Sequence, residues 1–341
     1  MGQTLAWRVE THRLATPFRI SGYVFEASEL VVVELSDGEH RGRGEAGGVY
    51  YLNDNAPQIV GHLESNRAAI EACGSREELR QMLPPGGTRN AVDCAMWELE
   101  ASRSGAPAYR LAGIDAPRPL VTTFTLGADE PEVMAQGARD YAHARAIKIK
   151  LTGSLELDVA RVRAVRDARP DVWLGVDANQ GYVAHDLHAL VRGMSEQGVA
   201  LIEQPLPRGS EVDLEGFESA IPIAADESVL GLDDIAGLVG RFQVVNIKLD
   251  KCGGLTEALA IARKCRDLGL QVMVGNMMGS SLSMAPSMVV GQLCDIVDLD
   301  GPTFLASDRP GAVRYSDGKI AAGDGGWGLL AAERALSSKS D

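Results

Sequence analysis

Eight short runs rich in aliphatic and β-branched residues recur between residues 121 and 302, and this repeat is the feature that most restricts the fold. The runs are VTTFTLG (121–127), AIKIKL (146–151), VWLGVDAN (172–179), VALIEQPL (199–206), IPIAADES (221–228), VVNIKLDK (244–251), LQVMVGNM (270–277) and IVDLDGP (296–302). They begin roughly 20–28 residues apart, the length of a βα unit. Stretches between them, such as LDVARVRAVRDARP, space their apolar residues as a helix does. The pattern predicts an α/β fold with a (β/α)8-type barrel. An open doubly wound sheet is the alternative, but TLGADEP after the first run is not the glycine-rich phosphate turn that such a sheet needs.

The residues before the first run follow a different pattern. LVVVELSDGEHRGRGEA (30–46) predicts two strands around an Asp37-Gly38 turn, and helical segments follow at about 56–82 and 88–104. We therefore expect a separate α+β domain over residues 1–118. The proline-containing IDAPRPL (114–120) joins it to a barrel over residues 119–310. We expect residues 311–341 to return and pack on the N-terminal domain.

Charge and composition exclude several classes of partner. The 341-residue chain has 33 basic and 47 acidic residues, a net charge of −14, so no basic surface is expected for nucleic acid or an anionic membrane. No apolar run approaches the ~20 residues that span a bilayer, and MGQTLAWRVE lacks a signal-peptide pattern. The five scattered cysteines are typical of a reducing compartment. These features predict a cytoplasmic protein that acts on a small molecule, and they leave open whether it forms a homo-oligomer.

Charged residues lie where the predicted strands end. Catalytic groups of a β/α barrel occupy the carboxyl ends of its strands, and a charge buried there is costly unless it is paired or bound to metal. The charged residues at these positions are Lys148, Lys150, Asp177, Glu203, Asp226, Lys248, Asp298 and Asp300. Any one of them could belong to a structural ion pair, but charges at six of the eight strand ends indicate an active site.

Asp177, Glu203 and Asp226 end three successive predicted strands and should converge. Three clustered carboxylates repel one another unless a cation lies among them. An all-oxygen ligand set favours Mg²⁺, and the lack of histidine at the strand ends argues against zinc. The sequence therefore predicts a magnesium site.

Three lysines accompany these carboxylates. Lys148 and Lys150 are two residues apart in a strand and share a face, so their mutual repulsion should favour a neutral Lys150 amine that can act as a base. Lys248 comes from the sixth strand, across the barrel. Two lysines on opposite faces of one carbon can remove a proton from one side and return it from the other, as epimerisation requires.

At these positions the sequence resembles the enolase superfamily, and in particular its muconate-lactonising subgroup. The matching motifs are Lys148-x-Lys150, Asp177-Ala-Asn179, Glu203-Gln-Pro, Asp226-Glu-Ser and Asn246-Ile-Lys248 followed by Gly253-Gly254. The resemblance covers nearly the whole chain. It implies a TIM-like barrel of the modified (β/α)7β form with an N-terminal capping domain. It also implies Mg²⁺ on Asp177, Glu203 and Asp226, acid/base catalysis by Lys150 and Lys248, and contact between Lys148 and the substrate carboxylate.

The eighth run narrows the resemblance to the dipeptide epimerases. Asp298-Leu299-Asp300 is similar to the Asp-x-Asp with which those enzymes hold the substrate's α-ammonium group, although Asp300 could instead be a turn or helix-capping residue. Tyr23 falls where the glutamate-specific members carry an arginine, and Arg19 is out of register. The resemblance thus implies a dipeptide epimerase whose substrates are Ala-Ala or Ala-hydrophobic dipeptides. Tyr23, Phe25, Tyr50 and Tyr51 either line an apolar specificity pocket or belong to the core.

Other activities stay open at this point. Within the enzymes they are an epimerase or racemase of another amino-acid derivative, N-acylated or betaine-like, and a cycloisomerase of the same subgroup. A sugar-acid dehydratase is disfavoured because Asn276 has no histidine nearby. A barrel that binds a ligand without chemistry is the non-enzymatic alternative.

Overall fold

An antiparallel sheet opens the chain in this computed structural model, which describes residues 2–20, 23–323 and 326–328. Its strands are β1 (Thr4–Ile20), β2 (Tyr23–Ser36) and β3 (Arg41–Ala46), in the order β1-β2-β3. The predicted hairpin is β2 and β3, and it turns at Gly38, whose φ of 96° is in the left-handed region that glycine adopts easily. The long strand β1 was not predicted. It extends the sheet toward the barrel, where Leu14 bridges to Leu305.

Four helices pack on or follow this sheet. They are α1 (Ala56–Ala72), α2 (Arg76–Met82), α3 (Gly87–Ser104) and α4 (Ala108–Leu111). The segment expected at 56–82 is two helices, because Ser75 starts a new one by accepting a hydrogen bond from the Glu78 N–H at 3.2 Å. Helix α3 lies so close to β3 that a Cβ on Gly42 or Gly44 would be 2.0 Å from an α3 carbonyl oxygen.

Eight parallel strands form the predicted barrel. A short strand, β4 (Leu120–Val121), precedes it. The barrel strands are β5 (Thr123–Leu126), β6 (Ala146–Lys150), β7 (Trp173–Asp177), β8 (Leu201–Glu203), β9 (Ile223–Ala225), β10 (Val244–Ile247), β11 (Gln271–Val274) and β12 (Ile296–Val297). Each lies within one of the eight runs, and neighbours in sequence are neighbours in the sheet, which excludes the doubly wound order. The Thr122 side chain bridges the two outer strands by accepting a bond from the Leu299 N–H at 2.9 Å.

Helices connect most of the barrel strands. They are α5 (Pro131–Asp140), α6 (Leu155–Ala168), α7 (Leu187–Glu196), α8 (Leu249–Cys252), α9 (Leu255–Asp267) and α10 (Ser281–Gly291). Short 3₁₀ turns at Glu211–Leu214 and Leu232–Leu238 take the helix positions after β8 and β9. No helix in the described part of the chain is long and apolar enough to cross a membrane.

After the barrel the chain forms two short strands, β13 (Arg314–Ser316) and β14 (Lys319–Ala321). Strand β14 pairs with β4. The Trp327 indole then donates to the carbonyl of Arg43, on the N-terminal sheet, at 2.8 Å. Residues 324–325 and 329–341 of the expected C-terminal segment lie outside the described residues. The division at 118 and 310 stays a prediction.

Buried polar contacts hold the N-terminal domain over the carboxyl ends of the barrel strands. Glu45, at the end of β3, accepts a hydrogen bond from the Ser280 N–H at 2.8 Å and pairs with the Arg309 guanidinium at 2.6 Å. Asp250, in α8, accepts from the N–H groups of Gly47 and Gly48 at 3.1 and 3.0 Å. These contacts keep the segment after β3 beside the strand ends that carry the charged residues.

Candidate active site

Three buried carboxylates converge at the ends of successive barrel strands. Asp177 ends β7, Glu203 ends β8, and Asp226 directly follows β9. One oxygen from each lies within 4.8 Å of the others, and the three residues are at most 1% exposed. The structure thus brings together the three residues that the sequence predicts as metal ligands.

The surroundings of Glu203 fit a bound cation. Its Oε1 accepts a hydrogen bond from Asn246 Nδ2 at 2.6 Å, whereas its buried Oε2 accepts none within the described residues. Burial, and then the charge of Asp177, raise the pKa of Glu203 to about 8. Crowded carboxylates of this kind become favourable when a divalent cation neutralises them, and three oxygen donors suit Mg²⁺.

Lys150 and Lys248 approach these carboxylates from opposite sides of the barrel. The Lys150 Nζ, at the end of β6, lies 2.6 Å from Asp177 Oδ2, and the Lys248 Nζ, just after β10, lies 2.6 Å from Asp226 Oδ2. Strands β6 and β10 are four positions apart in the eight-stranded sheet. Burial on its own lowers the pKa of Lys248, but the charges of Asp226 and Glu203 outweigh it and hold the pKa well above its ordinary value. The two ammonium groups therefore face one cavity from two directions.

Lys148 pairs with a carboxylate from the eighth barrel run. Its Nζ pairs with the carboxylate of Asp298 and lies 3.5 Å from Glu203 Oε2. Burial opposes the charge of Lys148, yet Asp298 and Glu203 raise its pKa above the ordinary value. Lys148 and Lys150 thus each have a carboxylate partner, Asp298 for the first and Asp177 for the second.

Asp298 and Asp300 lie together just after β12, but other groups of the protein already engage them. Asp298 accepts a hydrogen bond from Thr123 Oγ1 as well as pairing with Lys148, and Asp300 Oδ2 accepts from the Thr125 N–H at 2.7 Å. Burial, and then the charge of Asp298, raise the pKa of Asp300 to about 6. Neither aspartate is among the described residues that line the neighbouring cavity.

A cavity of about 310 Å³ lies between the N-terminal domain and the barrel. Lys150, Lys248 and Asp226 contribute to its barrel side. The wall from the N-terminal domain is mainly aromatic and apolar and includes Phe18, Phe25, Tyr50 and Tyr51. Met277 and Met278, which follow β11 of the barrel, also line the cavity. Tyr23 is expected to line this cavity, but its side chain is outside the described part of the structure, which gives only its backbone. The same is true of the Arg19 side chain.

Several further side chains contact the proposed ligands and bases. The buried Lys251 Nζ lies 2.5 Å from Asp226 Oδ1, and Asn179 Oδ1 accepts a hydrogen bond from Lys150 at 3.1 Å. Asn246 and Asn179 stand in the recognised motifs, but neither was assigned a role. Lys251 has no predicted role, and its position three residues after Lys248 is the sequence signal that could have indicated one.

Comparison with known proteins is consistent with this geometry. The model of the family described as "Enolase C-terminal domain-like" matches residues 132–335. The L-Ala-D/L-Glu epimerase of Escherichia coli K12 is 37% identical over 91% of this chain and 97% of its own length. The hydrophobic dipeptide epimerase of Roseobacter litoralis is 36% identical over 89% of this chain and 91% of its own length.

A solved structure extends the comparison to the bound state. The dipeptide epimerase of Methylococcus capsulatus, in complex with Mg and the dipeptide L-Arg-D-Lys, superposes with a TM-score of 0.88. It is 30% identical in sequence, and the alignment covers 95% of this chain and 98% of that one.

Proposed function

The chain belongs to the enolase superfamily, and we propose that it is a magnesium-dependent dipeptide epimerase. It would move a proton off and onto the carbon next to the substrate carboxylate, a 1,1-proton transfer through an enediolate. The observation that carries the proposal is the arrival of Lys150 and Lys248, from opposite sides of the barrel, at one cavity beside three clustered carboxylates.

Asp177, Glu203 and Asp226 are the residues that would hold Mg²⁺. When bound, the ion would supply positive charge that stabilises the negative charge developing on the substrate carboxylate. Lys251 contacts Asp226 through its buried ammonium group and thereby restricts the orientation of that carboxylate. Lys148, beside Glu203, would contribute a further charge to the substrate carboxylate.

Lys150 and Lys248 would divide the proton transfer between the two faces of the α-carbon. One amine removes the proton from its face, and the ammonium of the other delivers a proton to the opposite face. With the opposite configuration at the α-carbon, the two lysines exchange these roles. Both residues are at most 8% exposed, which limits competition from water during the transfer.

The free amino group of the dipeptide is assigned to Asp298 and Asp300. In support of this role, Asp298 and Asp300 are two buried carboxylates that lie together just after β12, and such a pair suits an ammonium group. Because Asp298 already pairs with Lys148, a substrate ammonium group would share the Asp298 carboxylate with Lys148. A substrate ammonium would likewise share Asp300 with Thr125, whose N–H donates to Asp300 Oδ2 at 2.7 Å.

The wall of the cavity supports a hydrophobic side chain at the epimerised residue. The Phe25 and Tyr50 rings are 5.6 Å apart and the Tyr50 and Tyr51 rings 5.2 Å apart, so they form one continuous aromatic surface. Among the described lining residues the cations are the two catalytic lysines. A glutamate side chain would therefore lose hydration without a cationic partner, whereas each buried methylene contributes about 0.8 kcal/mol.

A dipeptide library incubated in D₂O with Mg²⁺ tests the activity. Mass gain at the α-carbon of Ala-Ala or Ala-hydrophobic members is expected, with kcat/KM higher for L-Ala-L-Leu than for L-Ala-L-Glu. Tyr23→Arg should shift the preference toward L-Ala-L-Glu. A wild-type preference for L-Ala-L-Glu would refute the hydrophobic assignment, and absence of exchange with every member would refute the epimerase itself.

The alternative activity, on an N-acylated amino acid, makes the opposite prediction for a blocked amine. Loss of the ammonium contact with Asp298 and Asp300 should cost roughly 2–3 kcal/mol, or about 30- to 150-fold in kcat/KM, when the dipeptide is N-acetylated. Equal rates for free and acetylated substrates would favour the N-acyl racemase. We place the enzyme in the cytoplasm, in keeping with its free cysteines, four of which are buried.

A further inference from the structure

A strained turn follows the strand that carries the first proposed metal ligand. Asn179 and Gln180 have φ angles of 41° and 65°, in the left-handed region that non-glycine residues rarely adopt. Backbone hydrogen bonds hold the turn: the Asn179 N–H donates to Asp177 Oδ1 at 3.0 Å, and the Gln180 N–H to the Gln204 carbonyl at 2.8 Å. Strain of this kind persists where the surrounding structure enforces it, often at functional sites.

The turn directs the Asn179 amide between a base and an acid. Its Oδ1 accepts a hydrogen bond from Lys150 Nζ at 3.1 Å, and its Nδ2 donates to Glu227 Oε1 at 3.3 Å. An amide has one accepting and one donating end, whereas an ionised carboxylate only accepts. With Glu227 Oε1 accepting from the amide nitrogen, the amide oxygen faces Lys150.

Glu227 lies in the cavity wall at a cost to stability. It is 2% exposed, and its Oε2 is buried with no hydrogen-bond partner among the described residues. A buried carboxylate oxygen without a partner is unfavourable, so a role in folding alone does not account for it.

We propose that Asn179 and Glu227 are positioning residues for Lys150. Glu227 orients the Asn179 amide, and the amide oxygen holds the Lys150 amine toward one face of the substrate α-carbon. The inference rests on the proposed epimerase function. Lys248 has a different set of contacts, with Asp226 on its own side of the barrel. Loss of Asn179 or Glu227 should therefore impair proton transfer at one face only.

The test measures α-proton exchange in D₂O from L-Ala-L-Leu and L-Ala-D-Leu separately, at saturating Mg²⁺. Lys150→Ala and Lys248→Ala first identify which isomer each lysine deprotonates. Asn179→Gly removes the amide and keeps a residue that adopts the left-handed turn without strain. We expect it to slow exchange of the Lys150-dependent isomer by about 10- to 100-fold, the effect of misplacing a catalytic group by up to 1 Å. Exchange of the other isomer should change less than about threefold.

Two further variants separate orientation from general damage. Glu227→Gln keeps an oxygen that can accept from Asn179 and should retain most of the exchange, whereas Glu227→Ala should match Asn179→Gly. Gln180→Gly is the matched control in the same turn. The Gln180 side chain accepts a hydrogen bond from the Arg208 N–H on an exposed loop, and its loss should leave both exchange rates unchanged.

The outcomes distinguish this inference from the proposed function. Equal losses for both isomers, or a rise in the half-saturating Mg²⁺ concentration that accounts for the loss, would assign Asn179 and Glu227 to metal binding and overturn the inference. Unchanged exchange in Asn179→Gly and Glu227→Ala would also overturn it. A wild-type enzyme without exchange on either isomer or any library dipeptide would instead remove the epimerase proposal and the inference with it.

Discussion

Replacing Gly275 by alanine is expected to impair Lys248 and to spare Lys150. Gly275 directly follows β11, and its N–H donates to the Ile247 carbonyl at 2.9 Å, so its backbone is held by the barrel. A Cβ at this position would lie 2.7 Å from Asn246 Oδ1 and 3.0 Å from Lys248 Cε. Ordinary contacts begin at 3.4 Å, so the side chains of Asn246 and Lys248 must move by several tenths of an ångström.

The expected magnitude follows from these displacements. Overpacking a buried site costs about 1–3 kcal/mol of folding stability, which the barrel should survive. Displacing the Lys248 amine by up to about 1 Å should slow its proton transfer by about 10- to 100-fold, or roughly 1.4–2.7 kcal/mol in the barrier. Movement of Asn246 weakens its 2.6 Å hydrogen bond to Glu203, so the half-saturating Mg²⁺ concentration should rise as well.

The assay is the exchange of each dipeptide isomer in D₂O at saturating Mg²⁺, together with the thermal midpoint Tm. Gly61→Ala is the matched control, because a Cβ on Gly61 meets no atom within 4 Å, and it should leave both exchange rates unchanged. If Gly275→Ala exchanged the isomer that Lys248 deprotonates at the wild-type rate, the steric argument would be refuted. A loss of the same size for both isomers at saturating Mg²⁺ would refute the assignment of Gly275 to the Lys248 face.

Three further predictions concern the metal, the bases and pH. Chelation should abolish turnover and Mg²⁺ restore it, and Asp226→Asn should lose most activity with an unchanged circular dichroism spectrum; full activity after exhaustive chelation would contradict the metal site. Lys150→Ala and Lys248→Ala should each fail to epimerise while still exchanging the α-proton of one isomer, and epimerisation at the wild-type rate by either would contradict the two-base assignment. Burial raises the pKa of Asp250 from 3.8 to about 7, so its contribution to stability is present below pH 4 and is lost as the pH rises through 7. At pH 8, Asp250→Asn should therefore have a higher Tm than wild type and a free energy of unfolding that is larger by up to about 4 kcal/mol. This advantage should disappear near pH 4, and a difference that does not vary with pH would contradict the buried-carboxylate argument.

The strand repeat and the positions of the charges could be predicted from the sequence, because both depend on local order. Successive side chains of a β-strand point to opposite faces, so residues two apart share a face. A charged residue at the end of an apolar run can also be recognised without knowing which strands lie beside it. Asp177, Glu203 and Asp226 were found in this way, and the structure brings them together. The family resemblance rests on the same short motifs, since each motif lies within a few residues of one strand end.

The partners of each side chain depended on tertiary structure. Strand spacing puts Lys148 and Lys150 on one face but does not specify that Asp298, 150 residues away, pairs with Lys148. Likewise, no local pattern indicates that Glu227 orients Asn179.

Such pairings arise when the curved sheet brings distant strand ends within hydrogen-bonding distance. The energy of a buried charge then depends on which partner reaches it. The sequence by itself therefore identified the three carboxylates that the structure brings together. Only the folded barrel decided which charged side chains pair with one another and which line the cavity.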